Sequence, residues 1–187
     1  AVEKADTVIA IVNPNVPRAF GDAMIHINEI DLFVEDDSPL ITAEPGSISE
    51  IDRKIGSYVA ELVEDGATLQ MGIGAIPNAV LSMLGNHKDL GVHSEMFADG
   101  ILPLVDKGIV NGKNKKIDKG RLVATFLMGS DKLYEFIDDN PGVLMQDVKY
   151  TNRVNVIAKN PKVTAINSAL QVDITGQVCA DSIGTKF

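Results

Sequence analysis

Two stretches of this chain carry groups that could do chemistry. Gly72-Ile73-Gly74-Ala75-Ile76-Pro77 is a glycine turn set ahead of a helical run. Glu95 follows within Gly91-Val92-His93-Ser94-Glu95-Met96-Phe97-Ala98-Asp99-Gly100. Glycines let a backbone turn tightly and come close to a ligand. A helix start adds unpaired N–H groups and the positive end of the helix dipole. A negative oxygen, on a phosphate or on the oxyanion of an acyl-transfer intermediate, is stabilised in such a place. A carboxylate at the C-terminal end of a strand points into the crevice where open α/β sheets bind ligands. There Glu95 could act as nucleophile, base or ribose ligand. As a nucleophile on a thioester it would form a mixed anhydride.

Other readings of the same residues stand beside this one. The loop partly matches the dinucleotide fingerprint G-x-G-x-x-G, with an acidic residue downstream. Pro77, however, occupies the place of the third glycine, whose role is close helix–sheet packing. The glycines could also serve a tight strand-to-helix turn and nothing more, and Glu95 could be a surface carboxylate. His93 shares the face of Glu95 on an extended strand, but a lone histidine is more often structural. Asp99 reads as the cap of the helix that follows.

Strands and helices must place these groups. Thr7–Val12 reads as a strand ended by Asn13-Pro14, and Ala23–Asn28 and Asp31–Val34 as further short strands or helix turns. Ser47–Gly66 reads as a helix with a Ser47/Glu50 capping box, an apolar face of Ile48, Ile51, Ile55, Val59, Leu62 and Val63, and Gly66 as its stop. Ala67–Met71 is then a strand and Pro77–Leu84 a helix. Gly91–Glu95 is a strand and Gly100–Lys107 a helix. Leu122–Leu127, Val143–Gln146 and Val163–Asn167 are strands, with Leu170–Ile174 continuing the last and Asp173–Gln177 turning. Asp131–Asp138 is a helix. Strands alternating with helices predict an α/β fold with a mostly parallel sheet and flanking helices.

Composition narrows the field. Of 187 residues, 45% are hydrophobic, enough for a sizeable core. The net charge of −9 argues against nucleic acid or an anionic membrane as partner. No apolar run approaches a membrane span. The single cysteine, Cys179, permits no intrachain disulfide and fits a cytoplasmic setting; it reads as a small buried thiol. Asn111–Arg121 holds five basic residues beside one aspartate. Its Lys113, Lys115 and Lys116 could meet phosphates, but a solvated hairpin is the plainer reading. Asn167 and Gln171 read as residues that pack or that support site residues from behind.

Five blocks in order resemble the acetyl-CoA hydrolase/transferase family, in particular its 4-hydroxybutyrate and butyryl/acetate CoA-transferases. They are Asn13-Pro-Asn-Val-Pro-Arg18, Gly72–Pro77, His93–Gly100, Ala124-Thr-Phe-Leu-Met-Gly129, and Ile166–Asp173 with Thr175-Gly-Gln177. The resemblance implies the CoA-transferase fold of two related α/β halves. Residues 1–40 would end the first half, 41–47 would link, and 48–187 would form most of the catalytic second half.

It also implies roles. Glu95 falls on the family's nucleophilic glutamate. The loop Gly72, Ile73, Gly74 and Ala75 would bind CoA or the oxyanion, the donor being the N–H of Ile73 or Gly74. Asn152, in Tyr150-Thr-Asn-Arg153, would aid the thioester carbonyl. Apart from these, Arg18 could hold a substrate carboxylate, a loop-packing arginine being at least as plain a reading, and His93 is a weaker candidate for substrate contact. In the implied reaction Glu95 attacks an acyl-CoA carbonyl and expels CoA thiolate, which then attacks the resulting anhydride to give a glutamyl-CoA thioester. Acyl-CoA and short carboxylic acids are the expected partners, with no metal and a homo-oligomeric assembly. Release of the same intermediate by water would make a hydrolase; a nucleotide-binding module without covalent chemistry is the alternative from another class. Both chain ends read as cuts through a longer protein, because AVEKAD at the start looks like the end of a helix and GTKF at the close stops abruptly after a glycine. The resemblance adds that the glycine-rich G-G-Q block expected past Gly184–Phe187 is absent.

Overall fold

The computed structural model describes residues 2–44 and 46–184. Pro45, in the expected linker, and the closing residues 185–187 lie outside the described residues. In chain order come β1 (Ile9–Val12), β2 (Phe20–Gly21), β3 (Leu32–Glu35), α1 (Glu50–Ala60), β4 (Thr68–Met71) and α2 (Ala75–Met83). Then follow β5 (Gly91–Val92), β6 (Met96–Phe97), α3 (Leu102–Asp106), β7 (Leu122–Ala124), β8 (Phe126–Leu127) and α4 (Asp131–Ile137). The last elements are β9 (Val143–Met145), α5 (Val148–Thr151), α6 (Val154–Ile157), β10 (Val163–Ile166), β11 (Gln171–Val172) and β12 (Val178–Cys179).

The fold is mixed α/β with mostly parallel pairing, as the alternation of strands and helices predicts. β10, β4 and β5 run parallel side by side. A parallel bridge between His93 and Val123 carries this sheet on to β7, which pairs in parallel with β9, and β9 with β2. Thus Phe20–Gly21, from the first forty residues, adds an edge strand beside Leu144–Met145. β1 and β3 form a separate parallel pair.

The chain bends at Glu95, and this bend makes the site. β5 runs beside β4, whereas β6, just past the bend, pairs antiparallel with the end of β4 through Met71 and Met96. β6 then runs parallel to β8. The expected strand Leu122–Leu127 is therefore two strands, broken at Thr125 because its halves serve different neighbours.

The core lies between this sheet and α2, α3 and α4, around Leu69, Leu84, Leu90, Phe97, Ile101, Leu133 and Ile137, all under 2% exposed. Each such side chain contributes roughly 1.5–3 kcal/mol through removal from water.

The first long helix is shorter than its sequence pattern suggests. The cap is Ser49 with Asp52, reciprocally bonded, not Ser47 with Glu50. The buried residues are Gly56 and Ala60, while Ile51 and Leu62 of the expected apolar face are 71% and 78% exposed. Close helix approach explains the difference. A Cβ at Gly56 would lie 2.9 Å from the backbone carbon of Ala79 in α2, so small residues, not the isoleucines, face the partner.

Two further expectations change, and a stretch without an expected element holds two short helices. β11 does not prolong β10 but pairs antiparallel with β12 about the Asp173–Gln177 turn. The 146–160 stretch, which shows no clear periodicity, holds α5 and α6, each of four residues. Asn111–Arg121 is turn without a strand ladder, and Lys115 within it is 2% exposed rather than solvated.

Candidate active site

Glu95 is exposed between buried neighbours: Gly91 to Ser94 before it and Met96 and Phe97 after it are all buried. Burial on both sides fixes the backbone and leaves the carboxylate outside. Its carbonyl oxygen accepts from the N–H of both Thr125 (2.8 Å) and Phe126 (3.1 Å). Ser94 fastens the other side, its Oγ accepting from the Met71 N–H at 3.1 Å.

The glycine loop follows β4 directly. Because Met71 pairs antiparallel with Met96, the loop starts beside the bend that carries Glu95. The N–H of Gly72 donates to the Ile166 carbonyl at 2.8 Å, so Gly72 spends its own donor on the sheet. The N–H groups of Ile73, Gly74 and Ala75 find no partner among the described residues. Gly74 caps α2 at φ 110°, ψ −176°, a conformation open in practice only to glycine. A Cβ at Gly72 would lie 2.9 Å from Asn167 Oδ1, so the first glycine answers to close packing and the second to backbone geometry. Asn167 itself exchanges two side-chain bonds with Gln70. Pro77, lacking an N–H, sits in the first helical turn where none is needed.

Asn152 reaches the same carboxylate from a distant part of the chain. It is the C-terminal cap of α5, and its Nδ2 donates to Glu95 Oε2 at 3.0 Å. Periodicity had no means of finding it, because four helical residues are too few to show a period.

His93 is buried, 5% exposed, with Nε2 2.9 Å from the Thr151 carbonyl. Burial lowers its pKa. Beside it stands the Tyr150 ring, whose hydroxyl donates to Asp118; burial first, and then this bond, push the phenol up to about 12. Arg18 lies apart from Glu95's partners. Its guanidinium pairs with Asp139 at 3.3 Å, and its N–H donates to Asp138 at the end of α4.

Two further residues frame the site without a signal in the spacing. Thr125 and Thr151 share a hydroxyl hydrogen bond of 2.6 Å. Asp99 does not cap the helical turn it opens. Its carboxylate accepts from the Ser130 N–H at 2.9 Å and from the Ser130 hydroxyl, bracing the start of α4. Among the lysines, Lys113 pairs with Asp89, while Lys115 donates to the carbonyls of Val92 and Arg121. Burial lowers the Lys115 pKa to about 8. Cys179 is half-buried rather than buried. Among the described residues no group of three or more His, Cys, Asp or Glu could hold a metal ion, and no helix is long and apolar enough to cross a membrane.

The arrangement belongs to the α/β fold of CoA-transferases. The structure of a 4-hydroxybutyrate CoA-transferase from Porphyromonas gingivalis matches with a TM-score of 0.90 and 42% identity, over 95% of this chain and 45% of that one. RipA from Yersinia pestis matches with a TM-score of 0.92 and 40% identity, over 96% and 42%. In sequence, the 4-hydroxybutyrate coenzyme A transferase of Clostridium kluyveri is 50% identical over 186 residues, which is 100% of this chain and 43% of the relative. Residues 129–187 match the acetyl-CoA hydrolase/transferase C-terminal domain. The chain belongs to the acetyl-CoA hydrolase/transferase family. It spans less than half the length of these relatives.

Proposed function

We propose that this chain carries the nucleophile of a CoA-transferase that moves CoA between a short-chain acyl-CoA and a carboxylate through a glutamyl-CoA thioester on Glu95. The observation that carries the reading is an exposed carboxylate, held on a rigid bend, with the Asn152 amide 3.0 Å from one oxygen and the glycine loop beside it. Family membership and CoA-transferase relatives support it.

In this reading Glu95 attacks the acyl carbonyl and CoA thiolate leaves. The Ile73 or Gly74 N–H, with the Asn152 amide, stabilises charge on the oxygens. The thiolate attacks the Glu95 carbonyl, a free carboxylate departs, and the acceptor reverses both steps. Ping-pong kinetics follow. Short aliphatic acids are the proposed substrates, with residues 1–40 closing the first half-domain of a cytoplasmic homo-oligomer.

The test is to incubate the intact protein with acetyl- or butyryl-CoA without acceptor, trap with borohydride or hydroxylamine, and analyse the 91–99 peptide by mass spectrometry. Modification at Glu95, absent in Glu95→Gln, is expected. Turnover with an unmodified Glu95 refutes the covalent route. Steady release of free acid without acceptor identifies hydrolysis instead.

A further inference from the structure

Glu95 and Asn152 lie far apart in sequence on separate elements, and their contact depends on how α5 is held. Three successive residues at its end each reach a different part of the fold. The Tyr150 hydroxyl donates to Asp118 at 2.7 Å, the Thr151 hydroxyl meets Thr125 at 2.6 Å, and Asn152 donates to Glu95. The Thr151 carbonyl accepts from His93, two residues before Glu95 in the segment between β5 and β6. A carbonyl cannot donate, so Nε2 of His93 carries the proton. Nδ1 is buried without a partner among the described residues. His93 therefore has one polar task, and that task is Thr151.

These bonds close a circuit. Glu95 holds Thr125 through its carbonyl, Thr125 holds Thr151 through the hydroxyls, and Asn152, next in the chain, returns to the Glu95 carboxylate. His93 spans the circuit from the segment just before Glu95 to the Thr151 carbonyl. Both spanning residues are buried, Thr151 at 1% exposure, so water does not compete for these bonds.

We propose that His93 and Thr151 are positioning residues that hold the Asn152 amide on the Glu95 carboxylate. The inference rests on Glu95 being the nucleophile. Neither residue meets the acyl group; each acts through Asn152. His93 thus has a structural task in place of the substrate contact expected of it.

The test is a double-mutant cycle in the intact protein. His93→Phe should lower kcat roughly 10- to 100-fold, as expected for a misplaced reacting group, with KM changed less than about threefold. His93→Gln, whose amide can still donate, should recover most of the loss. In an Asn152→Ala background His93→Phe should cost less than about twofold, because the residue it positions is gone. Thr151→Val, which keeps the shape and loses the hydroxyl, is the second variant should His93→Phe fold poorly. Losses that multiply in the cycle overturn the proposal. If Asn152→Ala itself leaves activity intact, the amide has no part in the reaction and the kinetic arm of the proposal fails, whereas failure of the nucleophile reading shows separately as turnover without labelling of Glu95. The side-chain amide resonances of Asn152 in NMR spectra then decide the positioning alone: they move in His93→Phe if the link exists and stay in place if it does not.

Discussion

The side-chain amide of Asn152 donates to Glu95 Oε2 at 3.0 Å across 57 positions of sequence. One residue is the only exposed side chain in a buried stretch, and the other ends a helix of four residues. Neither has a local reason to face the other, so their meeting is a product of the tertiary fold.

Asn152→Asp should convert this hydrogen bond into a clash of like charges. Two carboxylates at hydrogen-bond distance cannot both ionise freely, and the pair takes up a proton at higher pH than either alone. The expected result is a roughly 100-fold loss of kcat/KM at neutral pH for a residue tied to the reacting group. The acid limb of the pH–rate profile should also change shape relative to wild type, which a profile from pH 5 to about 9 checks.

Gly74→Ala tests the loop. The nearest atom to an added Cβ is Ser168 Oγ at 4.0 Å, so space is not at issue; the backbone angles are. A non-glycine residue there costs about 1–3 kcal/mol. Urea denaturation should show that loss. Activity should fall as well, because the Gly74 and Ala75 N–H groups turn with the backbone. Unchanged stability would mean that the loop relaxes at no cost.

Lys115 offers a prediction in pH. Its ammonium donates to the carbonyls of Val92 and Arg121, and burial brings its pKa from 10.5 down to about 8. The folded chain therefore releases this proton before the unfolded chain does. Between about pH 8 and 10.5 the unfolded state binds more protons, so this group's contribution makes stability rise with pH. Tyr150 acts the other way above its ordinary value of 10, since its folded pKa is about 12. Lys115→Met should remove the upward slope between about pH 8 and 10. At neutral pH it should lose roughly 1–3 kcal/mol, from two carbonyls left without a donor, offset in part by the buried charge it deletes. Denaturant midpoints across that range check both.

The sequence made the strand–helix alternation legible, and with it the fold class, because β4, α2, α4, β9 and β10 each keep an apolar pattern long enough to read. The glycine loop was legible for the same reason: it lies between two such elements. Glu95 stood out by position, but Asn152 came only through family resemblance, since α5 is too short to show a period. The packing of α1 was misread because Gly56 and Ala60 bury themselves by being small, while hydropathy points to Ile51 and Leu62. Lys115 looked solvated because its burial depends on Gly91, where a Cβ would lie 2.8 Å from the lysine stem.

The α4 helix has a further consequence. Its start is braced by Asp99, its end holds Arg18 through Asp138 and Asp139, and its Tyr134 hydroxyl donates to the Ile41 carbonyl. The preceding Gly129 carbonyl accepts from Ala43. The early segment is thus fastened to the later one by contacts that bypass the covalent connection. A protease that cuts near residue 44 should leave a nicked protein whose two pieces travel together through a sizing column and separate only in denaturant.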